Sequence, residues 1–300
     1  MKSITLQPGR YILAVSGGLD SMVLLDMLRR LPGVELYVAH FDHGIRTNSQ
    51  QDRKFVQTVA KSHNLSFVYE TDTLGDRASE ALARSARYKF LRKVCKKYNA
   101  QALVTAHHQD DLLETAIVNM LRGTGRRGLG SLKSTSELIR PLLGTPKTEI
   151  LAYAQAHHIE WREDSTNNDQ TYLRNYVRHS IMPKFSKTAQ EKLLQIIVRQ
   201  NFLNETIDAE LQKWCQLHVK LVAIQSTLPR YQLIMLPPQV AYEILQFVLK
   251  QHTGNTVEKA QADRALLFAK TAGVGKRFEL NNTWQLKIGR SEVIVEDRRP

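Results

Sequence analysis

Through the first half of the chain, apolar residues fall into short continuous runs that alternate with longer stretches of helical period. Residues 11–15, Tyr-Ile-Leu-Ala-Val, form an unbroken apolar run closed by Ser-Gly-Gly, the pattern of a buried strand ending in a turn. Residues 21–30 then space Met22, Leu24, Leu25 and Leu28 as a helix does. The alternation continues with strands over 35–39, 66–69 and 102–106 and helices over 51–63, 78–98 and about 110–122. On the 78–98 helix, Leu82, Ala86, Phe90 and Val94 share one face. Such β–α alternation predicts an α/β fold with a mostly parallel sheet and helices on both of its faces. Ligands of such sheets bind at the carboxyl ends of the strands.

The pattern then changes. Residues 131–186 are less regular, with a helix near 147–157 and a polar run over 163–169. Residues 188–219 read as one or two amphipathic helices. Their apolar stripe Leu193, Ile196, Ile197, Leu203, Ile207 and Leu211 suits core packing or a homodimer face. Beyond 226 the chain reads as a small α/β unit, with helices over 240–251 and 258–270 and strands over 277–280, 284–288 and 292–295. The resulting division is a parallel-sheet N-terminal domain over 1–186, a helical linker over 187–225 and a small α/β C-terminal domain over 226–300.

A net charge of +13, spread over both halves of the chain, points to a long polyanion as partner, with plain cationic solubility as the other reading. Cys95 and Cys215 are far apart in the chain, with no Cys-x-x-Cys. That excludes a disulfide scaffold and a cysteine zinc site, and it fits a reducing compartment. No stretch approaches the ~20 apolar residues of a membrane span. The N-terminal apolar run is too short for a signal core. These features predict a soluble, cytoplasmic protein without a membrane partner.

The first strand–helix corner carries Ser16-Gly17-Gly18-Leu19-Asp20-Ser21. Two glycines permit close backbone approach to a phosphate, and the following helix start offers amides and the positive end of a dipole. No lysine is present, so the corner differs from the loop that serves terminal phosphoryl transfer. An aspartate in an anion site calls for a cation, which makes Asp20 a natural Mg²⁺ ligand. The plain alternative is a capped turn, with Asp20 or Ser16 capping the helix. Gly123-Thr-Gly-Arg-Arg-Gly128 also fits a dinucleotide fingerprint, but it follows a helix and not a strand.

Ser-Gly-Gly-x-Asp-Ser after the first strand resembles the pyrophosphate loop of the N-type ATP pyrophosphatases, whose fold is adenine nucleotide alpha-hydrolase-like. Further segments narrow the resemblance. They are His40-Phe-Asp42-His43-Gly44-Ile-Arg46, Glu80-Ala-Leu-Ala-Arg84-Ser-Ala-Arg87-Tyr88 and His107-His108-Gln-Asp110-Asp111-Leu-Leu-Glu114. Leu121-Arg122-Gly123, Arg140-Pro141-Leu142-Leu143, Asp164-Ser165-Thr166-Asn167 and Arg174-Asn175-Tyr-Val-Arg178 complete the set. In this order they are similar to the tRNA(Ile)-lysidine synthases over residues 11 to about 183.

The resemblance implies ATP and Mg²⁺ as cofactors, and free L-lysine and a tRNA(Ile) with a CAU anticodon as substrates. The wobble cytidine is adenylated with release of pyrophosphate, and lysine then displaces AMP. ATP falls to Ser16–Ser21 by this resemblance, with His40, Asp42 and His43 beside it. Asp111 and Glu114, three apart on one helix face, suit the lysine ammonium, against helix capping as the plain reading for Asp111. Arg84 or Arg87 suits charge on the α-phosphate. Arg122, Arg126, Arg127, Arg174 and Arg178 are candidate RNA or phosphate contacts, with structural ion pairing as the alternative. Residues 226–300 would help to grip tRNA. The amine must lose a proton before attack, and a carboxylate or a bound phosphate suits as acceptor. A tRNA thiolase using the same adenylation, or a nucleotide-binding module without catalysis, are the competing readings.

Overall fold

A computed structural model describes residues 3–42, 49–72, 80–162, 173–222, 225–253 and 257–298. The chain divides into two compact units, Met1–Asn201 and Phe202–Pro300.

The first unit opens with β1 (Gly9–Ala14), α1 (Leu19–Leu28), β2 (Val34–Asp42), α2 (Ser49–Ser62), β3 (Ser66–Thr71), α3 (Glu80–Lys97), β4 (Ala102–Val104) and α4 (Gln109–Leu121). It continues through α5 (Arg126–Leu129), β5 (Leu138–Ile139), α6 (Lys147–Ala156) and α7 (Leu173–Tyr176), which widens into a π-helical turn over Val177–Ile181. All five strands are parallel, in the order β3-β2-β1-β4-β5. β1 sits at the centre, and Ile12 and Leu13 at its middle are fully buried. A strand buried on both sides must be apolar throughout, which is why its run does not alternate.

α1 is nearly all core: Met22, Val23, Leu24, Leu25 and Leu28 pack with Leu142, Ile150 and Ala154. The other side of the sheet holds Phe90, Leu91 and Val94 of α3 against Ile12, Ala39 and Leu103. Leu82, expected on that same face, is 52% exposed. The buried stripe of α3 begins only at Phe90, and the preceding turns carry the arginines described below.

α8 (Lys187–His218) is one helix across most of the segment read as a linker. Leu193 and Ile197 on it belong to a core with Leu113, Ile117 and Val177, whereas Leu211 and Cys215 belong to the core of the second unit. Ile196, Leu203 and Ile207 of the apolar stripe remain exposed.

The second unit contains β6 (Lys220–Val222), β7 (Gln225–Pro229), α9 (Arg230–Met235), α10 (Pro238–Thr253), α11 (Lys259–Thr271), β8 (Arg277–Glu279), β9 (Trp284–Ile288) and β10 (Glu292–Asp297). Its sheet is antiparallel, ordered β6-β7-β10-β9-β8. Ile244, Leu245, Val248 and Leu249 of α10 pack with Leu286, Ile288, Val293 and Val295 of β9 and β10. Among the described residues, no helix is long and apolar enough to cross a membrane.

Candidate active site

The corner after β1 is shaped by glycine and serine. Gly17 has a φ of 96°, where side chains are strained, and a Cβ there would lie 3.3 Å from Val56 Cγ2. Gly18 is the N-cap of α1, and no side chain caps the helix. Ser21 Oγ instead accepts from the amides of Ser16 at 3.2 Å and Gly17 at 3.3 Å, and donates to Gly18 O at 2.9 Å. Ser16 Oγ accepts from the Gly18 amide at 3.3 Å. The first rung of the helix runs from Met22 N to Gly18 O. The amides of Leu19, Asp20 and Ser21 therefore stand ahead of the helical ladder, as helix-start donors do. Long amide–hydroxyl bonds beside helix-start donors can be exchanged for an anion at little cost. The Leu19 side chain turns into the core.

Asp20 makes no cap. Its Oδ1 is buried without a hydrogen-bond partner, and its Oδ2 lies 3.7 Å from His108 Nε2. Burial raises its pKa, against the pull of His108 and Lys147. A shielded carboxylate with one bare oxygen beside a nest of amides is a cation-seeking group. Mg²⁺ suits it, because that ion takes one or two protein carboxylates and completes its shell with phosphate oxygens and water. No group of three or more His, Cys, Asp or Glu able to hold a metal is found among the described residues, so other oxygens would have to complete such a shell.

His40, at the end of β2, is buried, and its Nδ1 lies 2.8 Å from Val15 O. Burial lowers its pKa, so the ring stays neutral and pins the end of β1. Asp42 is buried two residues further on. His43, Gly44, Arg46 and residues 164–167 lie outside the described residues.

β4 leads into α4 through Thr105, Ala106, His107 and His108. His107 Nδ1 meets Thr105 Oγ1 at 2.9 Å. Its pKa is pushed down to about 3, by burial first, with Arg140, Arg87 and Arg84 adding to this and Asp111 opposing. His108 is the N-cap of α4. Its Nδ1 accepts from Asp110 N–H at 3.2 Å, and its own amide donates to Asp111 Oδ2 at 3.0 Å. The ring proton therefore sits on Nε2, which faces Asp20 Oδ2 at 3.7 Å and Asp111 Oδ2 at 3.5 Å. Burial works to lower this imidazole, but Asp110, Asp111 and Asp20 together raise its pKa. Asp110 Oδ1 accepts the Lys147 amide at 3.2 Å, which ties the start of α4 to the start of α6.

Asp111 thus caps its helix through one oxygen, the plain reading of its position, and still has Oδ1 for a second partner. That partner is Arg174 Nη2 at 3.2 Å. Glu114, one turn on and 3% exposed, takes Arg178 through two bonds of 2.6 and 2.8 Å and Arg174 Nε at 3.3 Å. Arg174 and Arg178 lie four apart in the helical run 173–181, so both reach inward from one side. The two carboxylates share a face as their spacing requires, yet they are already paired. The two arginines, candidates for RNA contact, are turned onto these acids. Burial tends to raise Asp111, but His108 and Arg174 hold its pKa below the carboxylate range.

A second group of cations lies near His107. Arg140, directly after β5, is buried and Arg87 on α3 is half-buried, and the Nε of each is shielded with no hydrogen-bond partner. Burial lowers the pKa of both, and the Tyr88 hydroxyl acts on each to raise it. Arg84 is exposed and lies 5.2 Å above the Tyr88 ring. Sequence reasoning assigned no role to Arg140. Its signal was its place at a strand end, the same signal that marks the loop after β1. Arg122 is exposed at the end of α4, and Arg126 and Arg127 open the short α5.

Residues 2–185 match the PP-loop domain family. A tRNA(Ile)-lysidine synthase of Thermotoga maritima is 34% identical over 228 residues, covering 71% of this chain and 55% of the relative. One from Enterococcus faecalis is 36% identical over 220 residues, covering 67% of this chain and 47% of the relative. One from Francisella tularensis is 27% identical over 296 residues, covering 96% and 74%. The chain thus spans about half the length of the first two of these curated relatives. Among solved structures, the U34-tRNA thiolase NcsA from Methanococcus maripaludis superposes with a TM-score of 0.56 at 17% identity, over 67% of this chain and 74% of that one, a likeness of fold.

Proposed function

Because this chain belongs to the PP-loop domain family, with residues 2–185 matched, we propose that it ligates free L-lysine to the wobble cytidine of a tRNA(Ile) with a CAU anticodon at the expense of ATP. The cytidine O2 attacks the α-phosphorus, the bond between the α-phosphorus and the bridging oxygen breaks, and pyrophosphate leaves with that electron pair. The neutral ε-amine of lysine then attacks carbon 2, AMP leaves with the former O2, and the amine gives up a proton. The product is lysidine. This is also what the names of the relatives describe.

One observation carries the reading. Asp20, with its bare Oδ1, and Asp111 meet through a single imidazole, His108, and Asp111 shares Arg174 with Glu114. A phosphate corner and an ammonium site are therefore close enough to serve one reaction. Ser16, Gly17, Gly18, Leu19 and Ser21 hold the triphosphate through amides and hydroxyls. Asp20 holds Mg²⁺, which when bound neutralises phosphate charge. His40 and Asp42 position the loop from β2. Arg84, exposed at the rim, answers charge on the α-phosphate.

Lysine enters at Asp111 and Glu114. Its ammonium displaces Arg174, whose bonds are 3.2 and 3.3 Å, rather than Arg178, which holds Glu114 twice at 2.6 and 2.8 Å. Arg174 is then free to turn to RNA, with Arg122, Arg126 and Arg127. The sulfur-transfer alternative wants a reactive thiolate. Burial instead raises the pKa of Cys95 and pushes that of Cys215 up to about 11.

The test supplies ATP, labelled lysine and a transcript of tRNA(Ile) with a CAU anticodon. Label in the tRNA, with one pyrophosphate and one AMP per lysine, is the expected result. Pyrophosphate release that ignores lysine but requires a sulfur donor would overturn the proposal in favour of thiolation.

A further inference from the structure

Arg87 and Arg140 are not among the leading charged neighbours of Asp20 at the phosphate corner. Asp20 feels His108, Lys147, Asp111 and Arg178 as its charged neighbours. His107 feels Asp111 together with Arg140, Arg87 and Arg84. Asp111 acts on both groups, so Arg87 and Arg140 lie near the same carboxylate that neighbours Asp20.

The group is short of anions. Among the described residues, no carboxylate forms an ion pair with Arg87 or Arg140. Each leaves a buried Nε without a partner, and the polar group next to both is the buried Tyr88 hydroxyl, which bears no formal charge. The Arg140 guanidinium donates through Nη1 to Lys133 O, a neutral carbonyl beside a full charge. Shielded guanidiniums without counter-charge are costly in a finished interior. They are reasonable where a ligand supplies the anion.

We propose that Arg87 and Arg140, with Tyr88 beside them, bind the α-carboxylate of the amino acid whose ammonium group is taken by Asp111 and Glu114. This rests on the reading above that lysine is the acceptor. A free amino acid of this kind carries a cationic end and an anionic end, and the surroundings of His107 offer both a carboxylate and guanidiniums. Guanidinium forks and a phenol match the two oxygens of a carboxylate. A backbone phosphate of RNA is linked on both sides and cannot be drawn into a buried position as the free end of a small molecule can. Exposed Arg84 stands at the mouth of this subsite, over Tyr88.

The experiment compares lysine with its decarboxylated analogue, 1,5-diaminopentane, as acceptor with adenylated tRNA, in the unaltered protein and in Arg87→Gln and Arg140→Gln. The unaltered protein should prefer lysine in kcat/KM by about 10- to 100-fold, the worth of a charge-assisted contact. In either variant that preference should fall toward one, because lysine loses affinity while the diamine does not. A merely structural role would weaken both amines alike and keep the ratio, which overturns the proposal. Equal use of the two amines by the unaltered protein overturns it as well, without any variant having to fold. Attachment of neither amine by the unaltered protein would instead overturn the ligase reading itself, and this subsite with it.

Discussion

His107 and His108 are neighbours in sequence and titrate in opposite directions. Burial depresses His107 to about 3, whereas the acids around His108 raise it. Below the ordinary imidazole value of about 6.5, the unfolded chain takes up a proton that folded His107 refuses, so stability falls with pH by at most about 1.4 kcal/mol per unit. Buried His40, also depressed, acts with the same sign. His108 acts with the opposite sign, because its folded form binds the proton more tightly. Urea midpoints at pH 7.5 and 5.5 should therefore lie closer together in His107→Gln than in the unaltered protein. Equal gaps would show that His107 titrates normally.

Asp20→Asn should abolish tRNA-dependent pyrophosphate release without lowering Tm, because it removes a buried, uncompensated carboxylate oxygen. Release at the normal rate would remove the metal role. Glu114→Gln differs in kind. It leaves Arg178 beside a neutral amide and should cost about 3 kcal/mol in urea unfolding, while raising the lysine KM more than the ATP KM. An unaltered lysine KM would remove Glu114 from the amino-acid site. Of these residues, Asp20, Asp111 and Glu114 were legible because each sits in a contiguous motif at a strand end. That Arg174 and Arg178 would close on them was not legible, because about sixty residues of chain separate the partners and no local period encodes the contact.

At the scale of elements, the first four strands and the helices α1 to α4 and α6 were legible to within a few residues, because buried strands and core-facing helices differ in period and length, whereas the short α5, β5 and α7 were not. Leu82 was misplaced because spacing identifies a helical face but not how far along the helix its burial extends. β6 and β7 escaped notice for another reason. Gln225–Pro229 is largely polar, and only Ser226 and Leu228 on alternate positions face the core. α1 carries a buried acid that periodicity also could not explain. Asp26 receives Arg29, Arg30 and, from α6, the Tyr153 hydroxyl at 3.0 Å. Burial acts to raise its pKa, but these partners hold it below the usual range. Tyr153→Phe should cost about 1 kcal/mol in urea unfolding, and Asp26→Ala about 1–3 kcal/mol, because the arginines are left near a neutral site. A loss no larger in Asp26→Ala than in Tyr153→Phe would mean that the arginines contribute nothing there.

At the scale of the whole molecule, the candidate site and part of the positive charge fall in different units. Every residue of the candidate site belongs to the first, yet the excess of positive charge continues into the second. If that excess grips RNA, each phosphate contact releases condensed counterions, and log K falls with log salt by about 0.7–0.9 per contact. A protein making six or more contacts should lose about a thousandfold in tRNA affinity between 50 and 200 mM salt. The second unit can be tested by itself within the full chain. Lys276 and Arg290 are exposed, one just ahead of β8 and the other between β9 and β10, away from the core of that unit. Lys276→Gln with Arg290→Gln should lower the salt slope by about 1.4–1.8 if both meet phosphate. Catalysis at saturating tRNA should then be retained, because no site residue is touched. An unchanged slope would make the charge of the second unit a matter of solubility, and would leave Arg122, Arg126 and Arg127 of the first unit to hold the tRNA.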